Sequence, residues 1–113
     1  MTPHEISETI QNCLLKGLEE RIGKHHIEEA LDSLVPLLGI VPHLEKTTEY
    51  DYLFRLRDEI DNCSLRGERL VIRYAESGCA EEKSRHTEAK RISKSLDMGI
   101  SLLQSRLKEV QTL

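Results

Sequence analysis

The chain has 113 residues, enough for one domain that buries roughly two thirds of its unfolded surface. Charged residues make up 32% of it and aromatic residues 4%, with no Trp. This composition favours solvated helical faces around an aliphatic core, and it argues against a ligand pocket with aromatic walls. The formal charge of −4 argues against a dedicated nucleic-acid binder. We expect a single helical domain over residues 1–113.

Two features of the sequence indicate where the protein resides. Its three cysteines are far apart and form neither a disulfide framework nor a Cys-x-x-Cys metal motif, which is typical of reduced thiols in the cytoplasm. No basic-then-apolar leader opens the chain, and the longest apolar run, residues 34–42, is too short to cross a bilayer. We therefore expect a cytoplasmic protein with no membrane partner and no cofactor.

The first helix is predicted from Pro3 to Ile22. Thr2 can cap this helix, Pro3 suits its first position, and Glu5 stands where a capping box places its carboxylate. Apolar residues then recur at helical spacing as far as Ile22. Gly23 follows, and glycine readily adopts the left-handed conformation that ends many helices.

A second helix is predicted from Lys24 to the neighbourhood of Pro36. Proline disfavours helical geometry at the residue before it and removes a backbone donor, so the helix should end or kink there. The following stretch as far as Pro42 is predicted to be a connector. Its apolar composition is unusual for a loop and requires cover from other residues.

A long third helix is predicted from Pro42 to about Glu76. Apolar residues alternate at spacings of three and four within it, which is the heptad pattern of a helix packed along one edge as in coiled coils. This predicted stripe comprises Leu53, Leu56, Ile60, Cys63, Gly67, Leu70 and Tyr74.

A turn is predicted at Ser77 and Gly78, because the apolar register fails beyond Tyr74; a helix that continues unbroken through Gly78 is the alternative. A last helix is predicted from about Ala80 to Val110, with a polar start that should be solvated. Its inward face comprises Ala89, Ile92, Leu96, Ile100, Leu103, Leu107 and Val110. The fold class is therefore all-α: a four-helix bundle-like domain with two short N-terminal helices and a long antiparallel helical hairpin.

Two groups of side chains could hold a metal ion or a nucleotide phosphate. His25, His26 and Glu29 include a histidine and a carboxylate four residues apart, a spacing used for metal ligands in helical bundles. Carboxylates at positions 58, 59 and 61 could hold magnesium, but arginines at positions 55 and 57 favour solvated ion pairs there instead. A metal or nucleotide-phosphate site is our second interpretation of the chain.

Basic residues suggest a third interpretation, a nucleic-acid-associated regulator. If the chain folds back at Gly78, one group of arginines lies beside a basic group on the last helix and forms a strip able to contact anions. The strip would comprise Arg66, Arg69, Arg73, Lys90, Arg91 and Lys94. Glutamates interrupt it and no aromatic residue alternates with it to stack on bases, so we rank nucleic acid below protein as a partner.

The sequence predicts no catalytic group, and it predicts which of the three thiols is accessible. No arrangement of Ser, His and Asp or of Cys and His is apparent, and the chain is more consistent with a binding protein than with an enzyme. Cys13 and Cys63 fall on apolar stripes, where thiols are usually inert. Cys79 falls in the predicted turn and is expected to be the accessible one.

Our first interpretation is a non-enzymatic helical module that binds protein, most simply a second copy of itself. Two long helices present more apolar surface than two short ones can cover, and a soluble monomer rarely exposes so much. We therefore expect a two-fold homodimer. The predicted interface comprises Leu37, Leu38, Ile40, Val41, Tyr50, Tyr52, Phe54, Leu96, Ile100, Leu103 and Leu107.

Overall fold

The computed structural model describes residues 1–19 and 23–112, and these residues form α-helices and no strand. The all-α class is thereby confirmed, together with the two short N-terminal helices and the long antiparallel hairpin. None of the described helices combines the length and the apolar character needed to cross a membrane. The helices are α1 (Pro3–Gly17), α2 (Lys24–Leu34), α3 (Leu37–Asp61), α4 (Glu68–Gly78) and α5 (Ala80–Thr112).

Helix α1 begins as predicted and ends earlier. The Thr2 hydroxyl accepts a hydrogen bond from the Glu5 amide at 3.2 Å, which satisfies one of the free donors of the first turn. The helix ends at Gly17, where the prediction continued to Ile22, a residue outside the described ranges. Gly23 does not end α1: it has extended backbone angles (φ −83°, ψ 163°) and caps the start of α2.

The apolar stretch after α2 is helical rather than a connector. Only Val35 and Pro36 separate α2 from α3, so the predicted break at Pro36 is confirmed. Leu37 already begins α3, and Pro42 lies inside that helix. Proline there lacks the amide that would bond the carbonyl four residues back. The helix continues through Pro42 although one of its hydrogen bonds is missing there. The prediction of a loop up to Pro42 was therefore wrong.

The predicted single helix from Pro42 to Glu76 is broken in its middle. Helix α3 ends at Asp61, and residues 62–67 connect it to α4. Gly67 has a φ of +98°, a conformation that side-chain-bearing residues rarely adopt. Cys63 and Gly67 were the members of the predicted stripe with the least apolar surface. Burying these two residues would contribute too little free energy to offset the cost of a glycine inside a helix.

The helical hairpin therefore turns at residues 62–67 and not at Gly78. Only Cys79 separates α4 from α5, and helical hydrogen bonds continue across it, from the Cys79 amide to Ala75 and from the Lys83 amide to Cys79. Thr48 meets His86, while Glu59 meets Gly78. Since later residues of α3 meet earlier residues of the bent α4–α5 helix, the two arms are antiparallel.

The chain divides into two compact units. The first unit comprises Met1–Pro42 and Arg91–Leu113, and the second comprises His43–Lys90. Organisation as one domain stays a prediction. The core of the first unit is aliphatic and includes Ile92, Leu96 and Leu103 from the inward face predicted for the last helix. Its buried apolar side chains are Ile6, Ile10, Cys13, Ile27, Ala30, Leu34, Leu37, Val41, Ile92, Leu96 and Leu103.

The second unit has a different interior. Of residues 43–90, only Ala75, Cys79 and Ala89 are buried, and we call these three the small-residue seam. They lie at helical spacing with His86 on one face of the bent α4–α5 helix. Larger apolar side chains of the unit remain exposed, among them most of the predicted heptad stripe. The exposed set is Tyr50, Leu53, Phe54, Ile60, Leu65, Leu70, Ile72 and Tyr74.

Glycines allow α1 and α5 to approach closely in the first unit. The Gly99 backbone faces the Leu14 side chain, and a Cβ built on Gly17 would overlap the side chain of Leu103. The Leu103 side chain is fully buried and cannot move aside easily. Because later residues of α1 meet later residues of α5, the two helices run parallel here.

We expect Gly17→Ala to destabilise the protein by about 1–3 kcal/mol, because the added methyl group overpacks the core against Leu103. Gly39→Ala is the matched control: nothing lies within 4 Å of a Cβ at that helical position, so it should stabilise the chain by about 0.5–1 kcal/mol. Urea denaturation followed by circular dichroism measures both changes. Equal stability of the two variants would contradict the packing described at Gly17.

Candidate protein-binding surface on the third helix

A group of large apolar side chains lies on the solvent side of α3. Tyr50 is 70% exposed, Leu53 52% and Phe54 64%. At 100° per residue the three share one face of the helix. The rings of Tyr50 and Phe54 stack, with centroids 6.3 Å apart and planes 18° apart. These two adjacent rings and Leu53 form an exposed apolar group on this helix.

Charged residues continue the same face at both ends. Lys46 precedes Tyr50 by one turn, Arg57 follows Leu53 by one turn, and Asp61 follows Arg57 by another. All three are exposed. We call the whole set the outer α3 face, which comprises Lys46, Tyr50, Leu53, Phe54, Arg57 and Asp61.

The opposite face of α3 holds the hairpin together through polar contacts. The Thr48 hydroxyl donates to the carbonyls of Leu44 and Glu45, at 2.9 and 3.0 Å. The same hydroxyl lies 3.2 Å from Nδ1 of His86, within hydrogen-bond distance. The Tyr52 ring stacks on the His86 imidazole, with centroids 6.4 Å apart and planes 14° apart. His86, expected in a solvated segment, is instead half-buried in this contact.

The acidic cluster of α3 forms ion pairs with its own arginines. Arg55 lies 2.7 Å from the carboxylate of Glu59 and 3.6 Å from that of Asp58. Arg57 and Asp61 are 4.0 Å apart. The Glu59 side chain is only 18% exposed and lies against Gly78, which has room for it because it has no Cβ. The carboxylates of α3 thus form ion pairs, as predicted. Glu59 also contributes to the contact between the two arms.

The structure separates the residues predicted to form an interface into three groups. Leu38, Ile40, Tyr50 and Phe54 are exposed, and Tyr52, Ile100 and Leu107 are half-buried. The rest lie in the core of the first unit, where they pack against the chain itself and are not accessible to a partner. These core residues are Leu37, Val41, Leu96 and Leu103.

Sequence analysis missed Leu53 as an exposed residue and assigned it to the buried stripe. A second helical spacing in the same segment marks the true inward face: Thr48, Tyr52 and Glu59, with Leu56 between them, are all half-buried. Thr48 and Glu59 are polar, so the inward face shows no apolar periodicity in the sequence.

The predicted metal ligands remain at the surface. His25 lies 3.0 Å from Glu29, and the two side chains are 79% and 62% exposed. The His26 ring meets His25 edge to face with centroids 6.0 Å apart. Over residues 1–19 and 23–112, no three His, Cys, Asp or Glu side chains converge in a way that could hold a metal ion.

A cleft of about 710 Å³ opens between α1 and α2. Three carboxylates and one lysine line it, together with His26, so its formal charge is negative. Its lining comprises Asn12, Cys13, Lys16, Glu19, His26, Glu29, Ala30, Asp32 and Ser33.

The predicted basic strip is not formed as a pair of neighbouring rows. The chain continues from α4 into α5 instead of folding back at Gly78, so the basic residues of α4 and α5 occupy successive stretches of one bent helix, and Arg66 lies in the connection before α4. Arg73 and Lys90 are about 25 Å apart along the helix at the standard rise. The residues of both groups are exposed: Arg66, Arg69, Arg73, Lys90, Arg91 and Lys94.

The thiols are placed differently from the prediction. Cys79 is fully buried, and its thiol donates to the carbonyl of Ala75 at 3.0 Å. Burial raises the pKa of Cys79, and the nearby carboxylates of Glu82, Glu59 and Glu76 raise it further. Burial also raises the pKa of Cys13. Cys63, in the connection between α3 and α4, is half-exposed.

Comparison of the chain with protein-family models, with curated proteins and with solved structures gave no match.

We expect Cys63 to react first with a thiol reagent on the native protein, and Cys79 to react slowest. A buried thiol with a raised pKa presents little thiolate at neutral pH, whereas Cys63 is reachable by solvent. Mass spectrometry of the protein after timed exposure to iodoacetamide gives the order. The unfolded chain in urea is the control, where the three rates should converge. Faster modification of Cys79 than of Cys63 in the native protein would contradict the burial of Cys79 between α4 and α5.

Changing both His25 and His26 to Ala should alter the free energy of unfolding by less than about 0.5 kcal/mol, because exposed ion pairs contribute little. Thermal unfolding with and without added zinc measures this. A zinc-dependent rise in melting temperature that the double variant loses would show that these histidines bind metal.

Proposed function

We propose that the protein is a non-enzymatic helical module that works by binding protein and that associates with itself. The observation that carries this proposal is the outer α3 face, where two stacked aromatic rings and Leu53 lie in water. Tyrosine, phenylalanine and arginine are enriched at the centres of protein interfaces. The outer α3 face presents all three within three helical turns.

The interior of the second unit explains why this surface is available. The small-residue seam and the polar contact of Thr48 with His86 occupy the space between the two arms. The Tyr52 ring also packs there, stacked on His86, whereas Tyr50 and Phe54 lie on the opposite face of α3 and remain exposed. Exposed apolar patches beyond a few hundred Å² usually mark interaction sites in soluble proteins.

The two other interpretations receive no comparable support from the geometry. The carboxylates of α3 are engaged with arginines of the same helix, and the described residues offer no converging ligand set for a metal. The arginines of α4 and the basic residues of α5 lie in successive stretches, which shortens any continuous surface for a phosphate backbone.

We expect the wild-type protein to sediment as a dimer at tens of micromolar and the Tyr50→Ala, Phe54→Ala variant to sediment as a monomer. Alanine keeps the helix and removes the two rings, which are the most exposed aromatic side chains of α3. Sedimentation velocity measures the assembly, and circular dichroism checks that helical content is retained.

Tyr74→Ala is the matched control for this experiment. Its ring is 53% exposed on α4, away from the outer α3 face, so its removal should leave the dimer intact. A wild-type protein that stays monomeric at tens of micromolar would contradict self-association. Equal dissociation by Tyr74→Ala would contradict the assignment of the contact to α3.

A further inference from the structure

We infer that the outer α3 face binds the same face of a second copy in antiparallel orientation, with Lys46 opposite Asp61 and Arg57 against Tyr50 across the contact. This inference rests on the proposed self-association and specifies its surface and register. It follows from the order of charges and rings along the helix.

The outer α3 face is complementary to its own reverse. In this arrangement the two-fold axis lies between the two copies of α3, at the level between Leu53 and Phe54. Residues equally distant from this axis then meet across the contact: Lys46 meets Asp61 of the second copy, and Tyr50 meets its Arg57. The first pair joins opposite charges, and the second places a guanidinium on an aromatic ring, a favourable cation–π arrangement. Leu53 and Phe54 form the apolar centre.

A parallel arrangement of the same helices would be unfavourable. Each residue would then meet its own counterpart, so Lys46 would meet Lys46, Arg57 would meet Arg57, and Asp61 would meet Asp61. Like charges placed opposite each other repel, and such contacts select against wrong arrangements. The charge order therefore distinguishes the two orientations.

The charged groups are available for such a contact. The Arg57 and Asp61 side chains are 85% and 69% exposed, and they lie 4.0 Å apart at the long limit for an ion pair. An exposed pair of that length is weak and readily exchanged for a partner on another chain. Lys46 is exposed and lies within ion-pair distance of no acid among the described residues.

The area of the surface indicates a reversible dimer. An aromatic side chain buries roughly 150–250 Å² in full, and about two thirds of each ring is exposed here. Four rings from two copies would therefore contribute roughly 400–650 Å². The two copies of Leu53 and the stems of Lys46 and Arg57 add to this, which brings the total near the lower end of specific interfaces, about 1,200 Å². The dimer should dissociate on dilution.

A charge-exchange experiment tests the register. Lys46→Glu and Asp61→Lys, made singly, should each weaken dimerisation at least about tenfold, because each places like charges together at both ends of the contact. The double variant restores opposite charges and should return to within about threefold of wild type. Lys90→Glu, the same change at an exposed position of α5, is the control and should leave the dimer unchanged.

Cross-linking tests the orientation independently. In a Cys63→Ser background, Leu53→Cys lies beside the two-fold axis and should form a disulfide between copies when a copper–phenanthroline oxidant is added. Lys46→Cys lies about 22 Å along the helix from its counterpart in the antiparallel arrangement and should not. Non-reducing electrophoresis separates the products.

The outcomes separate this inference from the proposed function. A dimer that is indifferent to both charge reversals, or that cross-links as fast through Lys46→Cys as through Leu53→Cys, would overturn the register while leaving self-association in place. A wild-type monomer at tens of micromolar would overturn both. Rescue by the double variant, with cross-linking confined to Leu53→Cys, supports the antiparallel contact.

Discussion

The structure of the second unit depends on the close approach of α3 to the bent α4–α5 helix. Ala75, Cys79 and Ala89 allow the bent α4–α5 helix to be buried along one face, and Gly78 admits the carboxylate of Glu59. Between the arms, the Tyr52 ring stacks on His86 beside these small residues. The side chains of Tyr50, Leu53 and Phe54 occupy the opposite face of α3 at helical spacing and remain exposed. We propose this exposed face as a docking site.

In the first unit, close contacts between two helices occur at glycines. There α1 and α5 approach each other closely at Gly17 and Gly99, and leucines fill the space that each glycine leaves. Large aliphatic side chains from several helices point inward around these contacts. Burial of these side chains stabilises the first unit, whereas the buried residues of the second unit are small.

Much of the fold could be predicted from sequence, because helix starts and aliphatic periodicity are local signals. Thr2 and Pro3 marked α1, Pro36 marked the end of α2, and the inward face of α5 from Ala89 to Leu103 was correct at its core. The hairpin turn was misplaced because Gly67 and Gly78 are equivalent in sequence, and only tertiary contacts decide which one breaks the helix. The surface was found in part: Tyr50 and Phe54 were named, whereas Leu53 was hidden by a heptad spacing that the turn interrupts.

The small-residue seam also has a consequence for the motions of the chain. A hairpin whose interior is alanine, cysteine and a Thr–His contact buries little apolar surface, so its amide hydrogens should exchange through local opening more readily than those of the first unit.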